Sequence, residues 1–220
     1  MNIKKLFTSS DKKDKEIYAG SFTRTFAAGI DVWIVMFLRG IFLQASAILF
    51  LNDEVQNFAK EFGDYFGTAN MKFNIDHINF LMNHRIFYIS IFIYAFVIFI
   101  GAFYHAYLNS SAWRGTIGKR LMKIMIIKND MSPITIWRGF AHYFLSILPF
   151  AFVLYLIVYQ LAKNMTLLQA ISDNPVNVFL GIIFVLWVQL HLFTKKKITA
   201  YDLICNTIFV NGRTDAKLPF

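Results

Sequence analysis

Residues 24–50, RTFAAGIDVWIVMFLRGIFLQASAILF, decide the class of fold. A helix needs roughly 20 apolar residues to cross about 30 Å of hydrocarbon, and this stretch is long and apolar enough. Yet it carries Asp31 near one end and Arg39 near its middle. Hydrocarbon penalises such groups by about 2.5–3.5 kcal/mol each on insertion scales. They persist where complementary groups from other helices meet them, so the stretch reads as one member of a bundle.

The rest of the chain agrees. Of 220 residues, 57% are hydrophobic, 18% aromatic and only 16% charged, whereas soluble domains run to about 45–50% apolar and about a quarter charged. Mean hydropathy is +0.50. The single cysteine, Cys205, excludes an intrachain disulfide. The N-terminal stretch has charges but no apolar run ahead of a small-residue cleavage site, so it does not read as a removable signal peptide.

Four spans are expected, over about 25–50, 86–108, 140–162 and 176–193. The second and third contain no Asp, Glu, Lys or Arg. The predicted fold class is an all-α membrane protein, a four-transmembrane-helix bundle with an outer-surface amphipathic helix and a small cytoplasmic β-hairpin. The corresponding domain organisation is a cytoplasmic tail over 1–23, a membrane domain over 24–210 and a cytoplasmic tail over 211–220.

Basic residues orient the spans. Six lie in 1–24 (Lys4, Lys5, Lys12, Lys13, Lys15, Arg24), six in 109–139 and five after 193, against four (Lys60, Lys72, Arg85, Lys163) in the other two connections. Lys and Arg near span ends stay cytoplasmic. Both termini and the central loop are therefore expected inside, in a multi-pass membrane protein.

The connections have patterns of their own. In the first outer loop Val55, Phe58, Ala59, Phe62, Tyr65 and Phe66 share one helical face, and Asp53, Glu54, Lys60, Glu61 and Asp64 fill the rest. FNIDHINFLMNHR supplies a second short helix leading into the next span. In the central loop, KIMIIKND and SPITI flank NDMSP, whose residues favour a turn. A hairpin is expected there, with CNTIFVNG from the tail as a candidate third strand.

Three acidic or basic positions stand out. Asp31 lies seven residues after Arg24, on the same helical face and about 10 Å along the axis. A carboxylate below the headgroups must be paired, hydrogen-bonded or protonated. Asp202 follows the fourth span and returns to the edge where Arg24 stands. One arrangement serves all three: Arg24 pairs with Asp202 while Asp31 faces the bundle interior. Arg39, about 12 Å beyond Asp31 and about 80° around the helix, is too displaced for a direct pair. Gln44, Gln160, Gln189, His105 and His191 are polar candidates to meet it, as are an oligomer seam and a water-filled cavity.

RTFAAGID, then WRGTIGKRLMKIMIIKNDMSPITIWRG, then AYDLICNTIFV resemble the three signature blocks of the RDD family of bacterial membrane proteins, named for an Arg, an Asp and a later Asp. Arg24 and Asp31 match the first block and Asp202 the last. Gly115, Thr116, Gly118, Lys119 and Arg120 match the central-loop signature, with Ile117 where Pro is common. The resemblance runs from Arg24 to Val210. It implies a fold of membrane helices in a bacterial cytoplasmic (inner) membrane, and, because some members have been linked to sodium/proton antiport, a function in ion transport.

The expected function is a small ion- or proton-coupled transporter, antiport-like, in which Asp31, Arg24, Asp202 and Arg39 form a pathway or buried charge network. A carboxylate inside the membrane exchanges a proton for a cation because both compete for one negative charge. The alternative is a scaffold or accessory protein whose basic inner surface binds anionic lipid headgroups or a membrane partner. The expected partners are the bilayer and a second copy of the chain, since four helices make a narrow pathway alone. Nucleic acid ranks below lipid because the basic residues sit beside spans. No enzyme, cofactor or metal is expected: GTIGKR lacks the length and the Ser/Thr of a phosphate-binding loop, and neither HExxH nor a Gly-x-Ser-x-Gly elbow occurs.

Overall fold

A computed structural model describes residues 17–67 and 75–212. Most of the expected tails, 1–16 and 213–220, and part of the first outer loop with Lys72 lie outside the described residues. The described chain is mostly helical, with one small sheet. In order it runs α1 (Ser21–Ser46), a π-helical turn (Ala47–Leu51), α2 (Asn52–Phe66), α3 (Ile75–Asn83), α4 (Arg85–Ser110), α5 (Ile117–Leu121), β1 (Ile124–Lys128), α6 (Ile136–Lys163), α7 (Leu167–Ser172), α8 (Pro175–Phe193), α9 (Ala200–Cys205) and β2 (Thr207–Asn211).

Four helical stretches are long and apolar enough to cross a membrane: Ser21–Phe66, Arg85–Ser110, Ile136–Lys163 and Pro175–Phe193. The first continues for 46 residues, because the π turn carries α1 into the amphipathic α2 without a break. Its apolar half behaves as a lipid-facing helix does, with Trp33, Phe37 and Ile41 exposed.

The chain gathers into two compact units. One comprises residues up to Met36, Gly101–Phe150 and the chain from Phe179 on; the other comprises Phe37–Ile100 and Ala151–Val178. In the second unit, Phe58, Phe62 and Phe66 on α2 pack around Phe80 on α3, at ring separations of 5.9, 5.8 and 5.6 Å. His77 stacks on Phe66 at 4.2 Å. On the other face of α2, Asp53, Glu61 and Asp64 are exposed, Glu54 pairs with Arg85 at 3.1 Å and Glu61 lies 3.5 Å from His84 Nε2.

The first unit is built on the sheet. β1 pairs antiparallel with β2, Ile126 opposite Phe209 and Ile127 opposite Ile208. The second strand therefore comes from the tail, not from SPITI. The turn closes early, Lys128 N–H donating to the Ser132 carbonyl at 2.9 Å, and Pro133 has no N–H to give a ladder. The chain runs on extended to bury Ile134. Side chains alternate across a strand, and both faces are buried. Ile124, Ile126 and Phe209 pack with Ala19, Ala27 and Ile134 on one; Ile127, Ile208 and Val210 pack with Ile198 on the other. The chain ahead of α1 flanks β2, with Ala19 N–H on the Phe209 carbonyl at 3.0 Å.

Two local choices set how the helices of this unit meet. A Cβ on Gly139 of α6 would lie 2.8 Å from Cα of Ala106 on α4, so these helices cross at backbone contact, as small residues permit in membranes. Pro149 sits inside α6 and lacks the N–H that would satisfy the Leu145 carbonyl. Trp187 on α8 supplies the donor, its Nε1 lying 2.9 Å from that oxygen.

Candidate functional site

The residues with chemistry collect in the first unit around two buried carboxylates. Asp202 opens α9. Thr199, at the N-cap, accepts from Asp202 N–H, while Asp202 Oδ2 accepts from Thr199 N–H at 2.9 Å, a reciprocal capping box. The same Oδ2 accepts from Arg24 Nη2 at 2.6 Å. Oδ1 lies 2.8 Å from His142 Nε2 and accepts from the Thr207 hydroxyl at 3.3 Å. An ionised carboxylate only accepts, so His142 must present Nε2–H. Arg24 also donates to the Lys197 carbonyl, and its guanidinium stands 4.0 Å from the centre of the Phe209 ring. The fully buried Asp202 is thus surrounded by donors. Burial alone would raise its pKa; the Arg24 charge, then the His142 contact and Thr199 N–H, outweigh that and hold the carboxyl well below the usual range.

Asp31, 1% exposed on α1, is held differently. Its Oδ1 accepts from the Tyr104 hydroxyl and from Gly118 N–H, each at 2.8 Å, and its Oδ2 from the Thr116 hydroxyl. Thr116 is the N-cap of α5 but makes no cap bond with its side chain; the hydroxyl goes to Asp31 instead. Tyr104 OH in turn accepts from Ile117 N–H at 3.2 Å. The first turn of α5 is therefore capped from α1, through Asp31. Gly118 makes this possible: a Cβ there would overlap the Ala27 carbonyl oxygen and press on the Asp31 carboxylate. Every donor on Asp31 is neutral, and among the described residues no ion pair reaches it.

Lys119, one residue on, is 7% exposed. Its ammonium donates to Asn109 Oδ1 at 2.8 Å and lies 5.3 Å from the centre of the Phe209 ring. Burial pushes its pKa down to about 8, against the pull of Asp31 and Asp202. Asn109 Nδ2 is buried with no hydrogen-bond partner. Arg120, half-buried, lies on the Trp113 ring at 4.5 Å; Gly115 is buried. Burial lifts the Cys205 thiol to about 11.

These groups share a cavity of about 260 Å³ within the first unit, lined by Arg24, Asp31, His105, Lys119, His142 and His191, with hydroxyls from Ser21, Thr25, Ser146 and Tyr143. The structure thus brings Arg24, Asp31 and Lys119 of the signature loop around one space, with Asp202 on Arg24. Arg39 is not among them. It belongs to the second unit, where its Nε donates to the Val97 carbonyl at 2.9 Å. A backbone acceptor leaves no mark in a sequence. No sequence pattern marks Asn109 or Tyr104; His142 is signalled only as a titratable group in a span with no Asp, Glu, Lys or Arg. Among the described residues no group of three His, Cys, Asp or Glu is placed to hold a metal ion.

No curated protein and no solved structure matches this chain. The profile of the RDD family does, over residues 18–206, a span that holds Arg24, Asp31, the central loop and Asp202. The chain belongs to the RDD family of membrane proteins.

Proposed function

We propose that the protein exchanges protons for a monovalent cation across a bacterial inner membrane, with Asp31 as the group that attracts the cation. The observation that carries this reading is the Asp31 carboxylate lining a cavity while held only by neutral donors. Such donors orient a carboxylate without cancelling its charge, and in a medium of low dielectric constant that charge draws a proton or a cation. Arg24 and Asp202 act as the pin that fixes α1 to α9 and so shapes the cavity. The link between the family and sodium/proton antiport supports the reading, as does the excess of Lys and Arg that would keep the signature loop and both termini cytoplasmic. A second copy of the chain would widen a pathway that four helices leave narrow.

The test is purified protein in sealed vesicles, challenged with Li⁺, Na⁺ or K⁺ while internal pH is followed. Wild type exchanges; Asp31→Asn, folded to the same degree, does not. Equal flux from the variant makes the carboxylate structural.

A scaffold is the second reading, favoured by the exposed Lys123 and the half-exposed Arg120, Lys128, Lys195 and Lys196, which suit anionic headgroups. Lys119 is buried, so its surface test uses Arg120→Ala with Lys123→Ala and measures binding to anionic vesicles, which falls while flux is untouched.

A further inference from the structure

We propose that the exchange is electroneutral, one proton for one monovalent cation, and that Lys119 is the group that carries the proton. This rests on the transport reading above and adds to it a stoichiometry and a seat for the proton.

Four formal charges are buried together: Arg24 and Lys119, Asp31 and Asp202. Fully ionised, they sum to zero. Arg24 and Asp202 cancel by direct contact at 2.6 Å, and a guanidinium does not release its proton in a protein. Lys119 and Asp31 are the remaining pair. They line one cavity, yet no salt bridge joins them; Asp31 is taken up by Tyr104, Thr116 and Gly118, and Lys119 by Asn109 and the Phe209 ring. An ammonium so enclosed touches an amide oxygen and a ring in place of an anion, and its burial outweighs the pull of Asp31 and Asp202.

The other titratable groups about Lys119 are His105 on α4, His142 and Tyr143 on α6, His191 on α8 and Tyr201 on α9, with Tyr104 bonded to Asp31. His142 is fixed as a donor to Asp202 and His191 turns Nδ1 to the Val188 carbonyl at 2.7 Å. Formal charge at this site rests with Arg24, Asp31, Lys119 and Asp202.

The step then balances. Lys119 breaks one N–H bond, keeps the electron pair as a neutral amine and releases H⁺ to water. The four groups now total −1, with the uncancelled charge on Asp31. A monovalent cation reaching that carboxylate restores zero, and its departure allows the amine to take a proton again. A value near 8 for Lys119 keeps both of its states populated around neutral pH.

The experiment uses the full chain in vesicles, with cation-driven proton release measured at zero membrane potential and at a clamped potential of either sign. Wild type is expected to run at the same rate in all three. Lys119→Arg, which keeps the charge but cannot release it, loses exchange by about a hundredfold. Asn109→Asp gives Lys119 an anion to hold its proton and moves the alkaline limb of the rate–pH profile up by about one unit. A wild-type rate that follows the potential, an active Lys119→Arg, or an unmoved Asn109→Asp profile overturns the proposal. If Lys119→Arg does not fold, the clamp and the Asn109→Asp profile decide. Wild type silent toward every cation overturns the transport reading and this one with it; exchange that needs Asp31 but ignores Lys119 overturns this one alone.

Discussion

Asp31 and Asp202 are both buried carboxylates in one unit, and their surroundings differ in kind. Asp202 meets a guanidinium, an imidazole N–H, a hydroxyl and a backbone N–H. Asp31 meets two hydroxyls and a backbone N–H. The first has its charge cancelled on the spot and is best suited to holding α1, α6 and α9 together. The second is oriented but not neutralised, and faces a cavity. Two equally buried acids are therefore not equivalent: one is held by charged as well as neutral donors, the other by neutral donors alone.

The largest effect expected from that contrast is on stability. Asp202→Asn leaves Arg24 buried without its counter-ion and should cost about 3–5 kcal/mol. Asp31→Asn keeps shape and loses hydrogen bonds, about 1–3 kcal/mol. Thermal unfolding in detergent measures both; equal losses would erase the distinction. Next is Gly118→Ala, which changes no charge but drives a methyl into Ala27 and Asp31. It should cost about 1–3 kcal/mol as an overpacking change, and should reduce exchange because α5 is pushed off Asp31. Wild-type flux from this variant would mean that the contact with Asp31 is dispensable.

The smallest effect is on pH dependence. An unfolded lysine keeps its proton to about 10.4, whereas Lys119 gives it up near 8. Between those values the unfolded chain binds more protons, so this group makes stability rise with pH, by at most about 1.4 kcal/mol per unit. Asp202, with its carboxyl held low, has the opposite sign and another window: its contribution is complete above the ordinary Asp range and is lost only as pH falls through the depressed folded value. Unfolding midpoints from pH 8 to 10 should climb in wild type and flatten in Lys119→Met.

Much of this was readable from the chain. Spans announce themselves by hydropathy, and the ends of α1 and α8 had to return to one membrane face, which put Arg24 and Asp202 within reach of each other. The partners of Asp31 were harder. Thr116 and Gly118 could be picked out as signature residues, but nothing local says that a loop hydroxyl and amide turn toward a helix 85 and 87 residues away. SPITI had the residues of a strand and lost the position to the tail, because a strand needs a neighbour with free N–H groups in register, and Pro133 interrupts its own. Arg39 ends on a backbone oxygen, for which side-chain chemistry gives no hint.

The tail strand has a bearing on biogenesis. Arg24 and β1 are synthesised long before Asp202 and residues 207–211, so through most of translation a guanidinium and a row of backbone amides wait for partners not yet made. The first unit is closed by nearly the last described stretch to emerge, in the manner of a clasp. A chain stopped before residue 199 would contain all four hydrophobic spans and still present an unfastened Arg24, a ready mark for membrane proteases.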